Sequence, residues 1–273
     1  MISRRELIKS GGCAAALMPM VLAAGTAAKA SGSRRIVART GEAHLLEAGQ
    51  PKTPVWGYDG QVPGPELRLR QGGQVAVDFV NELPQPTTVH WHGIRIDNRM
   101  DGVANLTQPA VKTGETFAYR FTAPDAGTFW YHPHNRTFEQ LARGLYGPLI
   151  VEESAPPDVD QDRVLTFDDW RIGNDGRIDE RSFGSIHDMA HAGRLGNVLT
   201  LNGQFSADVP VKAGQRLRLR LLNAANARVI GIRFAGHAPI IVALDGQPVD
   251  VPFVPDDNRI VLSPAQRADV ILD

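Results

Sequence analysis

The stretch that most limits the fold is LRLRQGGQVAVDFVN at 67–81, where apolar residues fall at alternate positions on both sides of a Gly72-Gly73 pair. Alternation of this kind marks strands with one buried face, and the glycines supply the tight turn between them. The pattern returns as VPVKAGQRLRLRLLNAAN at 209–226, with strand, glycine turn, strand and asparagine in the same order. Upstream, DGQVPGP at 59–65 is echoed by LNGQFSADVP at 201–210. Matched order at matched separation predicts two similar β-units in tandem, spanning 31–155 and 156–273, with the junction at Ser154-Ala155-Pro156-Pro157-Asp158. Glu66–Arg70, Phe117–Phe121 and Pro148–Glu152 read as further strands, and only Phe138–Leu145 reads as a helix, a short one. The 27 glycines and 19 prolines are spread along the chain rather than gathered in one tract. The expectation is an all-β protein, sandwich or barrel. KTGETFAYRF (112–121) is followed by a second histidine pair and a closing strand. Its counterpart SPAQRADVILD (263–273) is followed by nothing, so the second unit is expected to be truncated, with an open sheet edge.

Ahead of the strands, Arg4-Arg5 precedes an apolar stretch from about Gly11 to Ala28, and Ala28-Lys29-Ala30 offers small residues at a cleavage point. This pattern predicts a twin-arginine signal peptide over 1–30, handled by the Tat export machinery, with the mature chain in the periplasm. The stretch is rich in alanine and glycine, and no later segment is apolar enough to span a bilayer, so stable membrane insertion is not expected. The only cysteine, Cys13, lies inside this leader. The mature chain therefore has neither a disulfide nor a thiolate ligand. A net charge of -1 with no basic stripe excludes nucleic acid as a partner class.

Four of the eight histidines stand in two His-x-His pairs, HWHG at 90–93 and WYHPH at 130–134. Residues two apart in a strand share a face, so each pair presents two imidazoles to one side. Neutral imidazole suits copper, zinc, iron or nickel, and the spacing does not choose among them. The other histidines lack such company. His187 and His191 are four apart and would share a face of a helix, in a solvated or packing role; His44 reads as surface, and His237 as a cap or filler of the second unit.

HWHG followed by WYHPH resembles the first two copper motifs of the multicopper oxidases, a family that includes laccases. The likeness extends to Met100-Asp101-Gly102, Gln108-Pro109, Gly144–Leu149 and the LNGQ opening of the second repeat, and so covers essentially the whole mature chain. It implies tandem cupredoxin-like Greek-key β-sandwich domains, the N-terminal portion of a three-domain bacterial type. It also implies that electrons from a small reducing substrate enter at a type 1 copper and pass to a type 2/type 3 trinuclear cluster, where O2 is reduced to water. By motif position, His90 corresponds to a type 2 ligand, and His92, His132 and His134 to type 3 ligands. The remaining cluster ligands and the type 1 site are then expected from a missing C-terminal domain, since a mature chain without cysteine cannot make the copper-thiolate bond of a type 1 centre. A 273-residue chain alone is expected to be inactive.

Asp101 matches an acidic position that in the family delivers protons near the type 2 copper, and a carboxylate suits that task; Met-Asp-Gly is also ordinary turn chemistry. Trp91 and Trp130 are expected to pack around the ligand strands and restrict solvent, and Arg95 and Asp97 to form a surface pair. Phenols, aromatic amines, and cuprous or ferrous ions all stay open as reductants. The few methionines outside the leader weigh against a dedicated cuprous oxidase. Two other classes remain, a non-catalytic periplasmic copper-binding protein and a metal-free structural relative.

Overall fold

The computed structural model describes residues 33–273; the expected leader, with Cys13, lies outside them. The first half contains β1 (Arg34–Ala43), β2 (Thr53–Tyr58), β3 (Leu67–Arg70), β4 (Gln74–Asn81), β5 (His90–His92), β6 (Thr116–Thr122), β7 (Gly127–His132) and β8 (Gly147–Glu152), with one helical turn, α1 (Thr137–Gln140), between the last two. These strands form two four-stranded sheets, ordered β2-β1-β4-β6 and β3-β8-β7-β5. The alternation that marked β4 in the sequence is its burial pattern: Val75, Val77 and Phe79 point inward. They meet Trp91, Tyr119, Phe129, Tyr131 and Leu149 in a core between the sheets. Withdrawing this apolar surface from water is the main drive for closing the sandwich.

The second half contains β9 (Gln161–Trp170), α2 (Ile186–Ala190), β10 (Val198–Leu201), β11 (Leu217–Asn223), β12 (Ile230–Arg233), β13 (Ile240–Leu244), β14 (Gln247–Phe253), β15 (Arg259–Leu262) and β16 (Arg267–Leu272). Six of its strands form one sheet, ordered β10-β9-β11-β16-β13-β14, and β12 pairs with β15 in another. Ile260 and Leu262 pack on Leu219, Leu221, Ile241 and Val270.

The sequence repeat is a structural repeat. Order β2-β1-β4-β6 is answered by β10-β9-β11-β16, with the middle pair parallel in both and the outer pairs antiparallel. Asn81 and Asn223, each fully buried, end β4 and β11 and do the same work. Asn81 Nδ2 donates to the carbonyls of Gln85 and Val111, and its Oδ1 accepts from Leu83 N. Asn223 Nδ2 donates to Arg228 and Leu262, and its Oδ1 accepts from Ala225 N. The echoed turns also match. Asp59-Gly60 and Asn202-Gly203 all have positive φ (57°, 74°, 50° and 72°), a conformation that Asp, Asn and Gly tolerate best.

One element departs from the expectation. Residues 209–212, the counterpart of β3, form no strand. β3 is held at its sheet edge by β8 alone, Leu67 opposite Leu149, and no described residue offers 209–212 such a partner.

The halves share a third core, in which Leu45, Val55, Trp130, Leu141 and Tyr146 meet Trp170, Ile172, Leu222 and Ala224. β7 is buried along its whole length because both of its faces are covered. Phe129 and Tyr131 fill the first sandwich, while Thr128, Trp130 and His132 point the other way. At Thr128 that second face meets a seam of charge. The Thr128 hydroxyl donates to Asp269 Oδ1 (2.6 Å) and accepts from Arg220 Nη1 (2.9 Å). Arg220 also binds both oxygens of Asp162 (2.7 and 2.8 Å), and Arg218 joins Asp269 (2.6 Å) to Glu153 (2.6 and 3.0 Å). Among the described residues no helix is long and apolar enough to cross a membrane.

Candidate metal centre

β5 and β7 pair antiparallel, which sets His90 directly opposite His132 and His92 opposite Trp130. Cross-strand neighbours on one face lie close enough for their side chains to touch, and the imidazoles converge. Ligand-capable nitrogens of His90, His92 and His132 all lie within 4.8 Å of one another, and His92 Nδ1 is 3.3 Å from His132 Nε2. The rings of His90 and His132 are 5.2 Å apart, edge to face.

His134 takes a different position from the one its spacing implied. β7 ends at His132, because Pro133 has no N–H to continue the ladder. His134 sits in the following bend, exposed, its ring 5.3 Å from that of His90. It is fixed from behind: its backbone N–H donates to Thr88 Oγ1 (3.1 Å), and Thr137 Oγ1 donates to the Pro133 carbonyl (3.2 Å). Asn135 and Gln140 bind the Pro86 carbonyl, tying this bend and α1 to the chain leading into β5.

Hydrogen bonds select ring tautomers here. His90 Nδ1 donates to the Asp101 carbonyl (2.8 Å), and His132 Nδ1 donates to the Pro133 carbonyl (3.0 Å), so in each ring Nε2 carries the lone pair, that of His132 facing His92 Nδ1. A carbonyl behind the ring in this way orients a metal-binding histidine. Both inner rings resist protonation. Burial, helped by the positive charge of Arg267, pushes His92 down to about 4, and burial with the neighbouring His90 holds His132 well below the ordinary histidine range. Neutral, convergent imidazoles with fixed tautomers are a donor set suited to copper or zinc.

The four histidines open onto a cleft of about 300 Å3 whose other wall belongs to the second half, through Ala225, Asn226, Pro264 and Ala265. Nothing local in the sequence marked these four residues, which come near the first motif only through the fold. The same holds for Arg267, whose guanidinium lies against Gly93 so closely that a Cβ there would collide with it. Trp130 packs against both His92 and His132, with ring centroids at 5.1 and 4.2 Å, and both Trp91 and Trp130 are buried, as expected of residues that pack around the ligand strands. The Asp101 carboxylate is 30% exposed, with Oδ1 3.3 Å from His90 Nδ1. Gly102, with φ of 74°, packs against the Val89 carbonyl, where any side chain would clash.

Arg95 and Asp97 do not pair with each other. Arg95 forms a two-pronged bridge to Asp125, and Asp97 accepts from Arg99 and caps the turn at Asn98–Met100. His44 is exposed, as expected, and so is His237, which fills no core.

Comparison with known proteins agrees with this geometry. Two family models, both described as multicopper oxidase, match residues 40–156 and 161–273. The chain belongs to the multicopper oxidase family. It is 30% identical to multicopper oxidase MmcO of Mycobacterium tuberculosis over 94% of this chain and 56% of that protein. It is 29% identical to copper resistance protein A of Pseudomonas syringae pv. tomato over 99% of this chain and 52% of that protein. The crystal structure of a multi-copper oxidase from Pseudomonas thermotolerans superposes with a TM-score of 0.83 at 38% identity, covering 88% of this chain and 57% of that one. The chain thus spans about half the length of the relatives it matches, and its two β-sandwich halves are cupredoxin-like.

Proposed function

We propose that His90, His92, His132 and His134 supply half the ligands of a type 2/type 3 trinuclear copper cluster in an exported, periplasmic oxidase that takes electrons from a small reductant and passes them to O2. The reductant is of the phenol, aromatic amine or metal-ion class. His90 is assigned to the type 2 copper, and His92, His132 and His134 to the type 3 pair. Residues 31–155 and 156–273 act as two cupredoxin-like domains, the second serving as a wall of the cleft. The further ligands and the type 1 thiolate belong to a third domain of the same protein, since residues 31–273 contain no cysteine. Export through the twin-arginine pathway is assigned to residues 1–30.

The observation that carries this reading is the cross-strand trio His90, His92 and His132, whose nitrogens converge, with the His90 and His132 rings oriented by backbone carbonyls. Bound copper supplies the one-electron redox chemistry for reducing O2 to water. The chain's own residues orient and shield. The carbonyls of Asp101 and Pro133 hold the His90 and His132 rings, and Trp130 and Leu141 keep water from the cleft's inner wall. The Asp101 carboxylate reaches solvent on one side and His90 on the other, the position of a proton relay between solvent and the cleft.

The test uses the full-length, copper-loaded enzyme. His132→Ala/His134→Ala should leave the blue type 1 absorption and its bleaching by substrate, and abolish reoxidation by O2. Reoxidation at the wild-type rate would overturn the ligand assignment. Asp101→Asn keeps the backbone carbonyl that orients His90. Copper content should hold while oxygen reduction slows at least about tenfold, an effect of the size expected for a lost proton donor.

A further inference from the structure

The segment between β9 and β10 carries a second histidine pair, which the cleft does not use. His187 lies in α2 and His191 caps its C-terminal end, so the two are one helical turn apart on one face. Both are exposed and neither packs into a core. Their rings are stacked, 4.4 Å between centroids and 26° between planes. His191 Nδ1 donates to the His187 carbonyl (2.9 Å), which leaves its Nε2 as a bare lone pair facing solvent. This is the ligand-ready tautomer, produced in the same way as in His90 and His132.

The turn that bears the pair is held rigid. Asp188, next to His187 in α2, takes both prongs of Arg171 (2.8 and 3.2 Å), and Arg171 also donates to the Leu195 carbonyl (2.9 Å). Ser185 Oγ accepts from the Asp188 backbone N–H. Gly193, with φ of 83°, packs against Ala227 with no room for a side chain. With Asp188 engaged by Arg171, no carboxylate among the described residues pairs with either imidazole. Met189, two-thirds exposed, borders a shallow pocket of about 120 Å3 lined also by Phe138 and Asn226. Asn226 lines the histidine cleft as well.

We propose that His187 and His191 form a bidentate surface site for a divalent copper ion, separate from the cleft. Two imidazoles spaced i, i+4 on a helix are a recurrent chelating arrangement, and among first-row divalent ions nitrogen donors favour Cu2+. Solvent completes the coordination. The pair shares no residue with the cleft, so its test and the cleft assignment stand or fall separately.

The experiment is equilibrium dialysis of the full chain against Cu2+, with bound copper counted per chain and the paramagnetic signal recorded. His187→Ala/His191→Ala should bind one copper fewer than the wild type, with unchanged circular dichroism. Because chelation needs both rings, each single variant should weaken that copper about tenfold or more, matching the double variant in stoichiometry. Met189→Ala should change nothing. Equal copper in the wild type and the double variant would overturn the site. Losses in the single variants that merely sum to that of the double would also overturn it, since they would signal independent surface imidazoles.

Discussion

At Thr128, near the start of β7, the buried Asp269 and the half-buried Asp162 each meet a guanidinium, and the threonine hydroxyl both gives and accepts a hydrogen bond. At His132, four residues on and on the same face of the same strand, a buried ring lies beside the half-buried rings of His90 and His92, their nitrogens converging on the cleft. Trp130 lies between the two regions. The seam pairs its carboxylates and nearly all its donors internally, Arg218 Nε being left without a partner, and so contributes structure. The cleft satisfies its polar groups only on the side away from its centre and so keeps a capacity to bind. Burial alone does not distinguish a site from a scaffold; the partners of the buried groups do.

The comparison is most easily broken at Arg220, which is almost fully buried. Arg220→Ala leaves Asp269 and Asp162 short of a partner and should cost about 3–5 kcal/mol of unfolding free energy in urea titrations. If the variant unfolds like the wild type, the seam is not structural. Thr128→Val keeps the shape and removes one hydroxyl, and should cost about 1–3 kcal/mol with copper uptake in the cleft unchanged. A loss of copper without a loss of stability would reverse the roles assigned to the two ends of β7.

Acid should separate the regions by pH. His92 and His132 have folded pKa values below the unfolded value of about 6.5, so the unfolded chain binds more protons as acid is added. Their contribution to the metal-free protein is whole above about pH 6.5 and is lost as the pH falls toward 4, the value for His92. In the seam, burial raises Glu153 and Asp162, but hydrogen bonds from Arg218 and Arg220 outweigh it and both end up lowered. Their stabilisation persists to a lower pH, being lost only below the ordinary carboxylate range. Urea midpoints between pH 7 and 5 should therefore fall less in His92→Phe than in the wild type, while Arg220→Ala should show the full wild-type slope there. The smallest expected effect is that of His44→Ala, an exposed residue outside both regions, within about 0.5 kcal/mol.

Much of this was legible in the residues. The alternation around Gly72 led to β3 and β4, and that after Gly214 to β11, because these residues pack into cores, and the His-x-His pairs led to the cleft because a strand fixes the direction of His90, His92 and His132. Three things were not. β3 has no counterpart strand because a ladder partner is a tertiary property. Arg95 prefers Asp125 to Asp97 because a bidentate fork across the fold outcompetes a near neighbour. The helix expected over Phe138–Leu145 spans only Thr137–Gln140, since Gly144, with φ of 112°, sits tight against Trp56 and Trp170 and turns the chain into β8.

The contact between Gly93 and Arg267 sets a limit on how such chains can be recombined. A guanidinium from the last strand occupies the space where any other residue at 93 would put its side chain, and that same guanidinium helps hold His92 neutral. The two β-sandwiches look like interchangeable cassettes, yet a chimera that joined this first half to a foreign second half would inherit the histidines without the charge that conditions them. Exchange between relatives should succeed only where glycine and arginine travel together.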